Sequence, residues 1–365
     1  MLRKWTALFL AVCLLMSVVS LSFAETANPE EEEENDTLLE AEAEEDWVTF
    51  LLVCNEGMKN DGGNVGNTMM VVSLKPTDGR IKLMMLTWDT FINYAGYDLP
   101  QLIDQPYRNN GPEETMKVFN DNFGTDIDNY MSLNYLNLAS LIDEYGGVDL
   151  NISRAERNAL NSMVASKKET LQAQADSGLL NQLVVEMLAQ EYYLTDYAPD
   201  THLNGLQAVG YGWLQYDSVY NCCQRELKVI ADLFTKVGDA VSSHVIFYDN
   251  ESGVPEYEDS RRKINLDALT EGDIEYLYTE VSPIFQMSTN NMTDDEIVSI
   301  FVALSNAAYQ ASRQGVNVFD SLETSIFPLE VTDAYVTIAG IEGHLIDYDA
   351  NGAAMKEFLY PDDAQ

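Results

Sequence analysis

Residues 66–93, GNTMMVVSLKPTDGRIKLMMLTWDTFIN, constrain the fold more than any other stretch of the chain. Two apolar runs, 68–74 and 81–88, flank KPTDG, whose Pro76 and Gly79 suit a tight turn. They read as two buried strands. Their ends carry a polar cluster of Asn67, Thr68, Trp88, Asp89 and Thr90, with one carboxylate and no positive charge. Strand ends of this kind are where α/β folds usually keep their chemistry.

The remaining pattern alternates. WVTFLLVC (47–54) reads as a further short strand, and the Gly- and Asn-rich loop after it lacks the Lys-Ser/Thr ending of a nucleotide P-loop. Helical spacing marks 111–124 and 135–147, with strand-like YMSLN (130–134) between them and VDLNI (148–152) after. Residues 153–191 read as long, polar and helical, 202–216 as a helix despite its glycines, and 222–241 as an amphipathic helix. The tail, 246–365, reads as helices around DDEIVSIFVALSNAAYQASRQG followed by strand-like AYVTIAG, packing on the same domain. Strands alternating with helices predict an α/β layered fold.

The N-terminus reads differently. Arg3 and Lys4 precede an apolar run that ends in Ser22 and Ala24, as in a secretory signal peptide over residues 1–24; an uncleaved anchor is the alternative, and would be the chain's only membrane contact. Residues 25–46 carry twelve acids and no base, which predicts an extended acidic linker. Without these segments 18 basic residues face 48 acidic ones, a balance of −30. Such a field repels nucleic acid and excludes it as a partner. Cys54, Cys222 and Cys223 are too few for a disulfide scaffold. A vicinal Cys222–Cys223 pair would be strained, so a single bridge would join Cys54 to one of them; three free thiols or a three-thiolate zinc site are the other options. His202, His244 and His344 stand alone in the sequence and read as structural.

Taken in order, the segments resemble the LytR–CpsA–Psr family of bacterial envelope proteins. FLLVC is similar to that family's opening strand, and residues 66–90 to its two-strand motif, typically SDTMMLVSINP followed by ITLLSIPRDT. The block YRNNGPEETMKVFNDNFGTDIDNYMSLNYLNLASLIDEYGGVDLNI, the stretch HLNGLQAVGYGWLQY and the stretch CCQRELKVI resemble its later blocks, and MKEFLY its usual ending. The resemblance covers most of residues 47–242 and predicts a core over 47–245, with 246–365 as a C-terminal part packing on the same domain. It implies a three-layer α–β–α sandwich with a central mixed sheet and an apolar pocket for a polyprenyl chain. It also implies transfer of a glycopolymer from a polyprenyl-pyrophosphate carrier to peptidoglycan, with Mg2+ held by aspartates and the pyrophosphate gripped by arginines.

Several positions depart from the pattern. The motif aspartate falls at Asn67, a poorer Mg2+ ligand than a carboxylate. Expected arginines fall at Trp88, Trp213, Gln215 and Cys222, and only Asp89 and Arg225 keep the expected type. Each charge-assisted hydrogen bond to a pyrophosphate is worth ~1.5–3 kcal/mol, so four lost cations would remove many decades of affinity. Lys59, Lys82 and Arg108 are the candidates to compensate. Asp89 reads either as a weak metal ligand or as a hydrogen-bonded strand-end carboxylate. Arg225 would meet an anion or pair with an acid, and Trp88 and Trp213 would stack on sugar or fill the space of the arginines. The expectation is a non-catalytic envelope protein that binds polyprenyl lipid, cell-wall glycan or a protein partner. The alternatives are an active glycopolymer transferase and a scaffold with a filled pocket.

Overall fold

The computed structural model describes residues 47–361, apart from 56–65, 78, 177–193, 196, 249, 251–252, 255–259, 267, 315–321 and 330–334. The expected signal peptide and acidic linker, Lys59, and the last part of the helix expected over 153–191 lie outside the described residues.

The opening motif forms β1 (Val48–Asn55), β2 (Gly66–Lys75) and β3 (Arg80–Leu86), paired antiparallel in that order. β4 (Phe91–Ile92) and β5 (Gln101–Leu102) make a small hairpin. The short helix α1 (Gln105–Asn110) follows, then α2 (Pro112–Phe123), with proline at its start and Gly124 beyond its end in the left-handed region. β6 (Asn129–Asn134) runs parallel to β1 and leads into α3 (Tyr135–Glu144), which Asn134 caps. β7 (Val148–Leu150) and α4 (Arg154–Asp176) come next.

The stretch expected to be one helix over 202–216 is not. Residues Thr201–Leu203 form β8, which pairs with β7, and α5 covers only Gly205–Gly212. The cause is local: the Asn204 side chain accepts from the Gln207 N–H and the Gln207 side chain accepts from the Asn204 N–H, a capping box that starts the helix at 205. Gly205 is required there, because a Cβ would stand 1.8 Å from the carbonyl oxygen of Ala139 on α3. The amphipathic helix α6 (Val219–His244) is capped by Ser218.

The C-terminal part contributes β9 (Val245–Tyr248), β10 (Arg262–Asn265), α7 (Glu271–Gln286), β11 (Thr289–Asn290), α8 (Asp294–Gln314) and β12 (Glu323–Phe327). It ends with the hairpin β13 (Tyr335–Ile338) and β14 (Ile341–His344) and the helix α9 (Tyr348–Leu359). β11 and β12 flank the main sheet, whose order is β11-β6-β1-β2-β3-β12, with β12 parallel to β3. The sheet is therefore mixed, with helices on both faces.

Strand periodicity builds those two faces. Phe50, Leu52 and Cys54 point to one side with Val72 and Leu74, under α3, α5, α6 and α8. Leu51 and Val53 point to the other with Met69 and Val71, under α1, α2 and α9. The apolar runs are continuous because each strand needs both of its faces covered. Among the described residues no helix is long and apolar enough to cross a membrane.

Candidate functional site

The family-like positions converge at one end of the sheet. The ends of β1 and β3 and the start of β2 meet there, opposite the turn between α5 and α6. The β1–β2 register slips between Cys54 and Asn55, so that Cys54 faces Thr68 and Asn55 faces Gly66. Asn67 sits in that irregularity.

Trp213, the residue that ends α5, is buried, and its indole N–H donates to the Thr68 hydroxyl at 2.9 Å. Its ring lies 6.2 Å from that of Tyr135. Beneath it α6 contributes Glu226, fully buried, whose carboxyl accepts from the Cys222 thiol at 3.7 Å and is also bonded by Thr68. Burial pushes the Glu226 carboxyl up to about 8, against the pull of those bonds and of the Arg225 charge, so it is largely neutral at pH 7. The space left among Thr68, Leu138, Trp213, Glu226 and Ile230 is about 10 Å³, room for one water at most. Among the described residues around Trp213, side chains fill the volume between sheet and helices.

Arg225 points the other way along α6. Its guanidinium forks onto Asp217, at 2.9 and 2.8 Å, donates to the Leu214 carbonyl and lies over the Tyr216 ring. The Asp217 carboxyl is held below its ordinary value by that fork. Gln215, on the same turn, is exposed. Trp88 is half-buried, and its indole N–H has no hydrogen-bond partner among the described residues.

Asp89 occupies a separate corner. It is buried, and burial raises its carboxyl above the ordinary range. The hairpin β13–β14 reaches it: the His344 N–H donates to the Asp89 carbonyl at 2.7 Å, and the His344 imidazole Nε2 stands 3.8 Å from Asp89 Oδ2. Tyr335 packs edge-on against that imidazole at 4.9 Å. Asp89 Oδ1 has no hydrogen-bond partner among the described residues.

A profile of the LytR_cpsA_psr family matches residues 13–241. The chain belongs to the LytR–CpsA–Psr family. Membership places it among cell-envelope proteins concerned with glycopolymers. In fold it is similar to Bacillus subtilis TagV, at 14% identity over 86% of this chain and 98% of that one, with a TM-score of 0.54. It is similar as well to protein gbs0355 of Streptococcus agalactiae (16% identity, 86% and 88% covered, TM-score 0.53). A structure titled TagT bound to LI-WTA is a third (12% identity, 87% and 90% covered, TM-score 0.53). At these identities the likeness is one of fold. No curated relative matches the sequence.

Against the LytR–CpsA–Psr pattern, the geometry separates the expected residues. Neither Cys54–Cys222 nor Cys54–Cys223 is bridged: all three thiols are free and buried. Cys222 turns to the Gly212 carbonyl and Glu226, whereas Cys223 turns to the Leu86 carbonyl on the sheet. Of the candidate compensating cations, Lys82 and Arg108 are engaged elsewhere, and Lys59 lies outside the described residues. Lys82 donates to the Phe358 carbonyl and pairs with Glu323, about 20 Å along the strand direction from Asp89. Arg108 pairs with Asp104. At Asp89 the buried Oδ1 has no partner among the described residues, and among those residues no group of three His, Cys, Asp or Glu is placed to hold a metal.

Sequence reasoning missed Glu226 and His344. Glu226 leaves a trace, as a carboxyl four residues after Cys222 on the inward stripe of an amphipathic helix. His344 leaves none, because 255 positions separate it from Asp89 and only the β14 pairing brings them together.

Proposed function

We propose that this LytR–CpsA–Psr protein is a non-catalytic member of the cell envelope. Its own side chains occupy the head-group end of the pocket, and it acts by binding an envelope partner rather than by transferring glycopolymer. One observation carries this reading: Trp213, at a position where the family resemblance expects an arginine, is bonded to Thr68 over a neutral, buried Glu226, with about 10 Å³ of space remaining. A pyrophosphate needs converging cations or a metal to offset its charge. The arginine that keeps the expected type, Arg225, is committed to Asp217 and Leu214. The likeness to a fold solved with LI-WTA supports looking for the partner among envelope glycans and lipid-linked glycans.

Calorimetry with a polyprenyl pyrophosphate, with and without Mg2+, tests the reading. No head-group binding is expected in either condition. Mg2+-dependent binding tighter than ~10 μM would overturn it and restore the transferase.

A further inference from the structure

A second cavity, of about 580 Å³, opens beside the loop 93–100, between α2 and the start of α9. Its wall is unusually well tied for a surface loop. The Asn93 N–H donates to Asn122 Oδ1 at 2.9 Å, and Asn122 Nδ2 donates back to the Asn93 carbonyl at 2.8 Å, which clamps the loop to α2. Tyr97 stacks on Tyr94 at 5.1 Å with 25° between the rings. Both hydroxyls are anchored from α1, Tyr97 by Asn109 at 2.9 Å and Tyr94 by Asn110 at 3.1 Å. Even so, Tyr97 is 47% exposed and its neighbour Leu99 50%. An aromatic ring that is held in place by its own hydroxyl and backed by a second ring, yet open to solvent, is a prepared stacking surface.

The polar lining sets what would stack there. Asp98, Asp121 and Asp349 supply carboxylate acceptors and Asn93 a side-chain amide, and no lysine or arginine lines the cavity. Lys117 pairs with Asp121 outside it, at 2.8 Å. Such a lining accepts hydrogen bonds from hydroxyl groups and repels phosphate, the more so in a chain of net charge −40. Of the three tyrosine rings that line the cavity only Tyr97 is exposed, with Leu99 beside it, and that apolar area is too small for the contiguous core of a protein-binding face.

We infer that this groove binds an uncharged, hydroxyl-rich glycan, with a sugar ring stacked on Tyr97 and its hydroxyls donated to the surrounding carboxylates. The inference rests on the envelope reading only for the class of ligand, and the site is distinct from the one filled by Trp213.

Calorimetry of the full chain with uncharged β-1,4-linked tetrasaccharides of glucose and of N-acetylglucosamine, and separately with poly(glycerol phosphate), tests it. At least one tetrasaccharide binds and the charged polymer does not. Tyr97→Ala weakens binding about tenfold, and Asn109→Ala, which frees the ring without removing it, weakens it about threefold. Tyr220→Ala, an exposed tyrosine on α6, leaves binding unchanged, and thermal unfolding verifies that each variant is folded. Failure of both tetrasaccharides to bind overturns the inference, as does binding that survives Tyr97→Ala or a preference for the charged polymer. None of these outcomes bears on pyrophosphate binding, so the two readings fail separately.

Discussion

The two buried carboxyls at the end of the sheet have met opposite fates. Glu226 is sealed: Trp213 covers it, Thr68 and Cys222 bond it, and almost no space remains around it. Asp89, which keeps the family-like residue, is left with one oxygen unpartnered among the described residues and a partly exposed imidazole 3.8 Å from the other. Burial raises both carboxyls. The contrast teaches that burial alone does not settle a carboxyl's surroundings. Where an aromatic ring and two polar side chains close over it, the region is core. Where a distant hairpin alone reaches it, the polar group is half-satisfied among the described residues.

The largest expected effect breaks the sealed corner. Trp213→Ala removes a buried indole and strands the Thr68 hydroxyl, and should cost about 3–5 kcal/mol in urea unfolding. A loss under about 1 kcal/mol would mean that the ring is not a structural plug.

A second effect, dependent on pH, sharpens the difference between the corners. Burial holds the Glu226 proton in the folded state up to about pH 8, whereas the unfolded chain releases it near the ordinary carboxyl value of 4.5. Between those values the folded state binds more protons, so this group's contribution is fully present below about 4.5 and is lost as pH rises through 8. Glu226→Gln should therefore be more stable than the wild type at pH 8–9, with the gap closing toward pH 4.5. Parallel stability curves across that range would show that Glu226 ionises freely in the folded protein.

The smallest effect belongs to the open corner. His344→Ala removes a long, partly exposed pairing with Asp89 and should cost under about 1 kcal/mol. A cost approaching that of Trp213→Ala would mean that the hairpin seals Asp89 as firmly as Trp213 seals Glu226.

Much of the architecture is legible in the residues. The middles of β1, β2 and β3 are unbroken apolar runs, FLLVC, MMVV and LMML, so each strand announces that both of its faces are covered. Pro112 and Gly124 bracket α2 within a residue of the expected bounds. The 202–216 stretch misleads because its apolar spacing continues across Asn204, while the capping box hands the first residues to β8. β12 joins the main sheet beside β3 from more than 200 positions away, and no local pattern marks that pairing.

By itself, then, the sequence determined the layered α/β class, the family and the polar residue types at the strand ends. Those follow from periodicity and residue type, which are local. Only the tertiary structure decided that Trp213 reaches Thr68, that Arg225 is taken up by Asp217, that the cysteines turn to separate partners and that His344 meets Asp89. Each of these depends on how two segments distant in sequence are brought within a few ångströms of one another, and packing sets that distance.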